Sequence, residues 1–317
     1  MKREEIASHI NSTYSGIDQS DVPKSVGFIR GKVRDIFDLG SELIISTTDR
    51  ISAFDIVLTT IPCKGNVLNG LTNYWFSRIN DIIPNHFKKQ ISSRSVLVKK
   101  CVVLPVEVVV RGYLTGSAWR DYEAGEAISG IQLPRGMKLN QRFDKPLLTP
   151  STKAERGDHD EPIAAEDVVK RGIVSESVWR QVEETAFALY KRGNDLVASN
   201  GLILVDTKYE FGIEGEKIML IDEIHTPDSS RFWFRDTYEE LFSAGERQRK
   251  IDKEYLRQWL MERDYMGKGE PPEIPDEVRI EVAWRYIQAY QLITGRDFDP
   301  QSNNTESEQQ ILTSYLS

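Results

Sequence analysis

The sequence predicts an α+β fold built on antiparallel strands. Three stretches carry that expectation. Residues 201–224 read as two β-like runs joined by a break at Gly215, the pattern of a hairpin. Residues 95–111 are β-rich, with an interruption at Pro105. Residues 176–200 set Val178, Val182, Ala186, Leu189, Gly193 and Leu196 at helical spacing, and Gly201 follows as a stop.

Taken in order, residues 2–10 suit a short amphipathic helix. Phe28, Ile29, Val33, Ile36, Phe37 and the run 43–46 are strand-like, punctuated by Gly27, Gly31 and Gly40. The polar stretch 49–55 reads as a turn, and 66–79 as a helix with Trp75 in the core. Pro105 marks an edge, a bulge or a hinge in the long β run. Glu107 stands alone among valines and needs a partner, for which Arg111 and the residues after it are the nearest in sequence. A glycine-rich loop at 111–117 leads into a short helix near 118–124. Residues 125–165 show little periodicity and read as a long polar loop, of a length that is often functional. After Phe234 the chain turns helical, over 252–261, 276–294 and 306–316.

Composition narrows the function. A net charge of −8 argues against nucleic acid as the main partner. The two cysteines, Cys63 and Cys101, lie in apolar surroundings without a Cys/His cluster, which suits reduced thiols and not a zinc site. The first residues lack the apolar core of a secretory signal, and no run approaches the ~20 apolar residues of a membrane span. The expectation is a cytoplasmic protein of small-molecule chemistry, with no membrane partner.

The chemistry concentrates in the hairpin, where Asp206, Lys208 and Glu210 alternate and therefore share a face. With a loop at 215–217, Glu214 pairs with Ile218 and Glu210 falls opposite Asp222. Opposed carboxylates are unfavourable unless offset, and Mg²⁺ takes one or two carboxylates plus substrate phosphates. A solvated outer face explains the same residues equally well. Gly31, Lys32, Val33 and Arg34 form a turn that suits a phosphate, although it is no Walker loop. Arg111 and Ser117 offer donors to an anion, as does the polar turn 225–231. His159, between Asp158 and Asp160, lacks metal-ligand spacing and suits a solvated loop.

In order along the chain, GKVRDIFDLG, DRISAFD, LPVEVVVRGYLTGSAW, LTPSTKAERGDHD, LILVDTKYEFG and IDEIHTPDSSRFW resemble the phosphoribosylaminoimidazole-succinocarboxamide synthase (SAICAR synthetase) family. The resemblance implies a kinase-like or ATP-grasp-like two-lobed fold: an N-terminal lobe over 1–103, a central α+β lobe over 104–235, and a helical extension over 236–317 packed on the central lobe. It places ATP at the junction of the lobes, with Gly31, Lys32, Val33 and Arg34 at its phosphates and Val103, Leu104 and Glu107 at the adenine hinge. It makes Glu210 and Asp222 the Mg²⁺ ligands and Lys208 the active-site lysine, with Asp206 a candidate base. Arg111, Ser117, Asp228, Ser230 and Arg231 become the grip on the ribonucleotide. Ser52, Asp55, Lys153 and His159 lie in substrate motifs, one of which binds L-aspartate. A monomer is the favoured state for this longer form.

The implied reaction joins L-aspartate to the carboxylate of carboxyaminoimidazole ribonucleotide, using ATP and Mg²⁺. The residue types suit it, because phosphoryl transfer needs positioning and charge neutralisation more than a protein nucleophile. A small-molecule kinase would release ADP without aspartate. A nucleotide sensor would have no need of the metal carboxylates.

Overall fold

The computed structural model describes residues 1–153, 161–251, 254–299 and 305–317. It is α+β, and its two large sheets are built on antiparallel pairs. The N-terminal part runs α1 (Arg3–Ala7), β1 (Gly27–Arg30), β2 (Arg34–Asp38), β3 (Glu42–Thr47), β4 (Arg50–Ala53), β5 (Ile56–Thr60), α2 (Lys64–Phe76), β6 (Phe87–Gln90) and β7 (Ser95–Lys99). The middle follows as β8 (Val102–Tyr113), α3 (Ser117–Glu123), β9 (Arg142–Thr152), β10 (Glu161–Pro162), α4 (Ala165–Lys170), α5 (Glu176–Ala198), β11 (Leu202–Glu214), β12 (Lys217–Ile221) and β13 (Ser230–Phe234). Then come α6 (Arg235–Ala244), β14 (Lys250–Ile251), α7 (Glu254–Met261), α8 (Asp276–Thr294) and α9 (Thr305–Leu316). Among the described residues, no helix is long and apolar enough to cross a membrane.

The chain divides into two compact units. One comprises Met1–Tyr74, His86–Lys100 and Ile251–Ser317; the other Trp75–Asn85 and Cys101–Lys250. The sequence reading sets the last helices on the central lobe. They lie instead with the N-terminal sheet, ordered β1-β2-β3-β7-β6. The cause is apolar: Leu312 and Leu316 of α9 share a core with Tyr14, Ile17, Phe37, Ile44 and Leu97. Polar contacts agree with it. The Ser95 hydroxyl donates to the buried Glu308 carboxylate at 2.5 Å, and Arg279 of α8 donates to the Thr60 carbonyl at 3.0 Å. The polar stretch read as a turn at 49–55 is β4 and the start of a hairpin with β5, whose ladder ends at Ala53 and Ile56.

The second unit is built on a sheet ordered β10-β9-β8-β11-β13-β14, with β12 also on β11. β11 is its axis. One edge pairs with β8; the other pairs first with β13, up to Thr207, and then with β12, from Glu210 onward. The partner changes at Lys208, whose amide is satisfied by the Ser229 carbonyl of the loop that links β12 to β13. Pro105 lies where the β8 ladder jumps from Val103↔Gly212 to Glu107↔Glu210, so it marks a bulge. The stretch 125–165, which reads as a loop in the sequence, contains β9. Its Pro146 and Pro150 argue against a strand paired on both sides, yet β10 pairs only Ser151 and Thr152 of it, which leaves the proline-bearing stretch with β8 as its partner strand.

The reverse face of this sheet is its core side. Tyr209 and His225 are fully buried there, with Tyr209 Oη and His225 Nε2 2.6 Å apart and the Trp75 ring edge-on to the imidazole. Gly193 of α5 admits the imidazole, since a Cβ there would stand 2.6 Å from His225 Cε1. Burial pushes the His225 pKa down to about 3, so the native ring is neutral. Between about pH 6.5 and pH 3 the unfolded chain binds a proton that native His225 does not, so acid destabilises the fold through that window. The expected result is that wild type loses about 2 kcal/mol more than His225→Asn between pH 7 and pH 5. Urea midpoints at the two pH values measure it, and equal losses refute it.

Candidate active site

Strand alternation fixes which side chains share the other face of the sheet. Asp206, Lys208 and Glu210 of β11 face Arg111, Val109 and Glu107 of β8 in register, and β9 adds Leu147, Thr149 and Ser151. The expected opposition of Glu210 and Asp222 does not form. The hairpin turn has two residues and not three, so Glu214 pairs with Lys217 and Glu210 with Ile221. Gly215 has φ +62, as a type II′ turn requires at its first central position. A one-residue slip turns every side chain to the other face.

An opposed carboxylate pair does exist, between Glu210 and Glu107. Lys208 bridges it, its ammonium 2.6 Å from Glu210 Oε1 and 2.7 Å from Glu107 Oε2. Lys208 is thus the partner that Glu107 needs, where the sequence reading looked to Arg111 and beyond. Lys153 donates to Glu210 Oε2, and Ser151 Oγ to Glu107 Oε1 at 3.4 Å. Burial acts to lower the Lys208 pKa, but Glu210, Glu107 and Asp222 overcome it and hold the ammonium above its ordinary range. Burial likewise opposes ionisation of Glu210, yet Lys208 and Lys153 bring its pKa down to about 2. Asp222 therefore reaches this cluster by electrostatics through the β12–β13 loop. It follows β12 directly, in the left-handed region, φ +63.

A second cluster is cationic. Arg231 of β13 donates to Asp206 Oδ2 at 2.5 Å, and Arg111 Nη1 lies 3.5 Å from the same oxygen. Arg111 also donates to Thr149 Oγ1 at 2.9 Å and to Ser117 Oγ at 3.2 Å. Burial lowers the Arg111 pKa, and Asp206 opposes it. Gly116, φ +63, packs directly on the guanidinium of Arg231, where a Cβ would stand 2.5 Å from Nη2. Asp206 braces two arginines, a structural task that competes with a role as free base. Ser230, which the sequence places in a polar turn, lies in β13, and its hydroxyl donates to Thr207 on the reverse face at 2.8 Å. The turn instead is made by Thr226, whose hydroxyl accepts from the amides of Asp228 and Ser229.

In the first unit, Gly31–Arg34 closes the β1–β2 hairpin. The Gly31 amide donates to the Arg34 carbonyl at 2.8 Å, and a Cβ on Gly31 would stand 2.7 Å from that oxygen. The Val33 carbonyl accepts from the amide and hydroxyl of Thr48. Buried Arg50 donates to the carbonyls of Gly31 (2.9 Å) and Lys32 (3.3 Å) while held by Asp35 at 2.6 Å. The Lys32 ammonium lies 2.5 Å from Asp55 Oδ1, and Ser52 stands on the adjoining β4. At the start of the second unit Val102 and Val103 are exposed apolar residues, while Leu104 is buried.

Sequence reasoning missed Arg50, Thr149 and Ser151. Thr149 and Ser151 alternate in β9 and face β8, a period-2 signal hidden by the prolines. His159 lies outside the described residues. Among these, no group of three or more His, Cys, Asp or Glu side chains is arranged to hold a metal. Two cavities of about 550 and 490 Å³ open beside α5, lined by Tyr113, Arg142 and Asn194 among others, and contain none of the expected site residues.

The family model for SAICAR synthetase matches residues 27–273. The phosphoribosylaminoimidazole-succinocarboxamide synthase of Cytophaga hutchinsonii is 44% identical over 291 residues, 90% of this chain and 94% of that protein. The enzyme of the same name from Bacteroides thetaiotaomicron is 42% identical over 302 residues, 93% and 96% of the two chains. The solved SAICAR synthase of Saccharomyces cerevisiae, complexed with SAICAR, is 34% identical with a TM-score of 0.79, covering 90% of this chain and 100% of that one. A SAICAR synthetase solved with ADP shares the fold at 24% identity, with a TM-score of 0.66 over 86% of this chain and 100% of that one. With the charged β8–β11 face and the match across both units, the chain belongs to the SAICAR synthetase family.

Proposed function

We propose that this protein condenses L-aspartate with carboxyaminoimidazole ribonucleotide, using ATP, to give SAICAR, ADP and phosphate in de novo purine synthesis. The observation that carries the reading is the paired clusters on one sheet face: carboxylates held by Lys208, and arginines held by Asp206. The family match and the yeast likeness support it. The kinase-like or ATP-grasp-like description, a monomeric state and a cytoplasmic location belong to the same reading.

In it, Arg111, Ser117 and Arg231, with Asp228 in the neighbouring loop, hold the ribonucleotide, whose phosphate replaces water on the guanidiniums. Gly31, Lys32, Val33 and Arg34 bind the ATP phosphates, and the backbone of Val103 and Leu104 the adenine. Ser52, Asp55, Lys153 and His159 lie in the motifs of which one serves aspartate. Glu210 and Asp222 would hold Mg²⁺ by donor type, since Glu210 already takes two ammonium groups and Asp222 acts on one of them; an ion there would neutralise charge on the triphosphate. Lys208 holds Glu210 ionised and presents a fixed positive charge to the transferring group.

The carboxylate oxygen of the imidazole attacks the γ-phosphorus, and the bond to ADP breaks. The neutral aspartate amine then attacks the acyl carbon, phosphate departs with that oxygen, and the amine proton is lost. Oxygen-18 placed in the substrate carboxylate is therefore expected in inorganic phosphate, with ADP release dependent on L-aspartate. Unlabelled phosphate refutes the acyl phosphate, and ADP formed equally without aspartate refutes the ligase.

A further inference from the structure

The β4–β5 hairpin turns on two residues, Phe54 and Asp55, with φ of 51° and 66°. Two successive positive φ values are what a type I′ turn requires, and such turns favour Asn-Gly or Asp-Gly. Phenylalanine in the left-handed region is an unfavourable choice, and such outliers cluster where position matters. The Lys32–Asp55 ion pair does not offset it, because both side chains are more than half exposed and such pairs contribute little.

The offset comes from α7 and the segment after it. That helix ends with the Tyr265 amide donating to the Leu260 carbonyl at 3.0 Å, which turns the chain back on the hairpin. The ring of buried Tyr265 meets the Phe54 ring edge-on, 6.2 Å between centroids, and the Arg257 guanidinium lies 5.9 Å from the Phe54 ring centre. Gly267, φ +87, closes the contact, where a Cβ would stand 2.7 Å from Phe54 Cβ. The turn is thus held on one side by residues 257–267, while on the other its Asp55 meets Lys32 of the Gly31–Arg34 turn.

We propose that Phe54 is a positioning residue: clamped by Tyr265 and Gly267, it fixes the turn so that Asp55 aims the Lys32 ammonium. The inference rests on the reading of Gly31–Arg34 as the ATP phosphate turn. It assigns the C-terminal segment a part in nucleotide binding beyond packing.

The experiment measures ADP and ribonucleotide dissociation constants separately by calorimetry. Wild type must bind ADP; if it does not, the phosphate-turn reading fails before the clamp is at issue. Phe54→Gly leaves the backbone free to adopt positive φ but removes the ring. It is expected to weaken ADP about fivefold to tenfold, the loss of one aimed charge-assisted contact, with ribonucleotide affinity within about twofold of wild type. In an Asp55→Asn background, itself weaker for ADP, Phe54→Gly is expected to add nothing, because Phe54 acts through Asp55. Gly267→Ala, which drives a methyl into Phe54, reproduces the selective loss and carries the comparison if Phe54→Gly has no cooperative melting transition. Unchanged ADP affinity in the folded variants overturns the inference. So do equal losses for both ligands, an additive double variant, or tighter ADP binding by Asp55→Asn, which would mean that the carboxylate competes for the ammonium.

Discussion

Replacing Lys208 with methionine is expected to lower the unfolding free energy by about 2–3 kcal/mol and turnover by at least about a hundredfold. Lys208 lies between two carboxylates that the β8–β11 register sets face to face. Methionine keeps the length of the stem and removes the charge, so Glu107 and Glu210 repel each other where water is partly excluded. Breaking a buried pair costs about 3–5 kcal/mol, and the 32% exposure of the Lys208 side chain justifies a smaller figure. Lys153 still reaches Glu210. Adding Glu107→Gln to Lys208→Met removes the repulsion, and most of the stability should return while turnover does not. Urea titrations with unchanged slope measure the first quantity and steady-state assays the second. A single variant within about 0.5 kcal/mol of wild type refutes the bridge, since that is the range of an ordinary surface change.

What could be read in advance depended on which force decides each feature. Helix α5 and the entry to β11 were legible because one apolar period and one stop glycine decide them. The shared face of Asp206, Lys208 and Glu210 was legible because strand alternation does not depend on partners. Partner choice was not. The Glu210 register turned on one residue of loop length, and a strand that carries three neighbours has a ladder that no local pattern reveals. The partner of Glu107 is 101 residues away in the chain, so proximity in sequence pointed to Arg111 instead. β9 was hidden because its prolines are tolerated only by an unpaired edge, which is a property of the sheet. Ser230 was misplaced for the same reason: beginning a strand one residue before Arg231 sends its hydroxyl to the opposite face. The placement of the last helices rested on Leu312 and Leu316, whose core partners lie at the other end of the sequence.

Glu210→Gln is expected to separate activity from stability in the opposite sense. The amide keeps an oxygen for Lys208, so the bridge to Glu107 persists, and loss of one of two opposed charges relieves repulsion. Stability should stay within about 1 kcal/mol of wild type, as for the loss of one charge in a still-compensated cluster. Turnover should fall by at least about a thousandfold, because a neutral amide is a poor ligand for a hard divalent cation and no longer balances Lys208 and Lys153. The readout that isolates the metal is nucleotide binding: Mg²⁺ should strengthen ADP affinity in wild type and strengthen it far less in the variant. Asp222→Asn should behave alike, since asparagine tolerates the left-handed backbone that Asp222 adopts and the change is confined to charge. Near-normal turnover of either variant at saturating Mg²⁺ would leave Glu210 as a structural counter-ion of Lys208. Comparison with Glu107→Gln then discriminates, because a structural counter-ion predicts that Glu210→Gln and Glu107→Gln are equivalent, whereas a metal ligand predicts that Glu210→Gln loses the response to Mg²⁺ and Glu107→Gln keeps it.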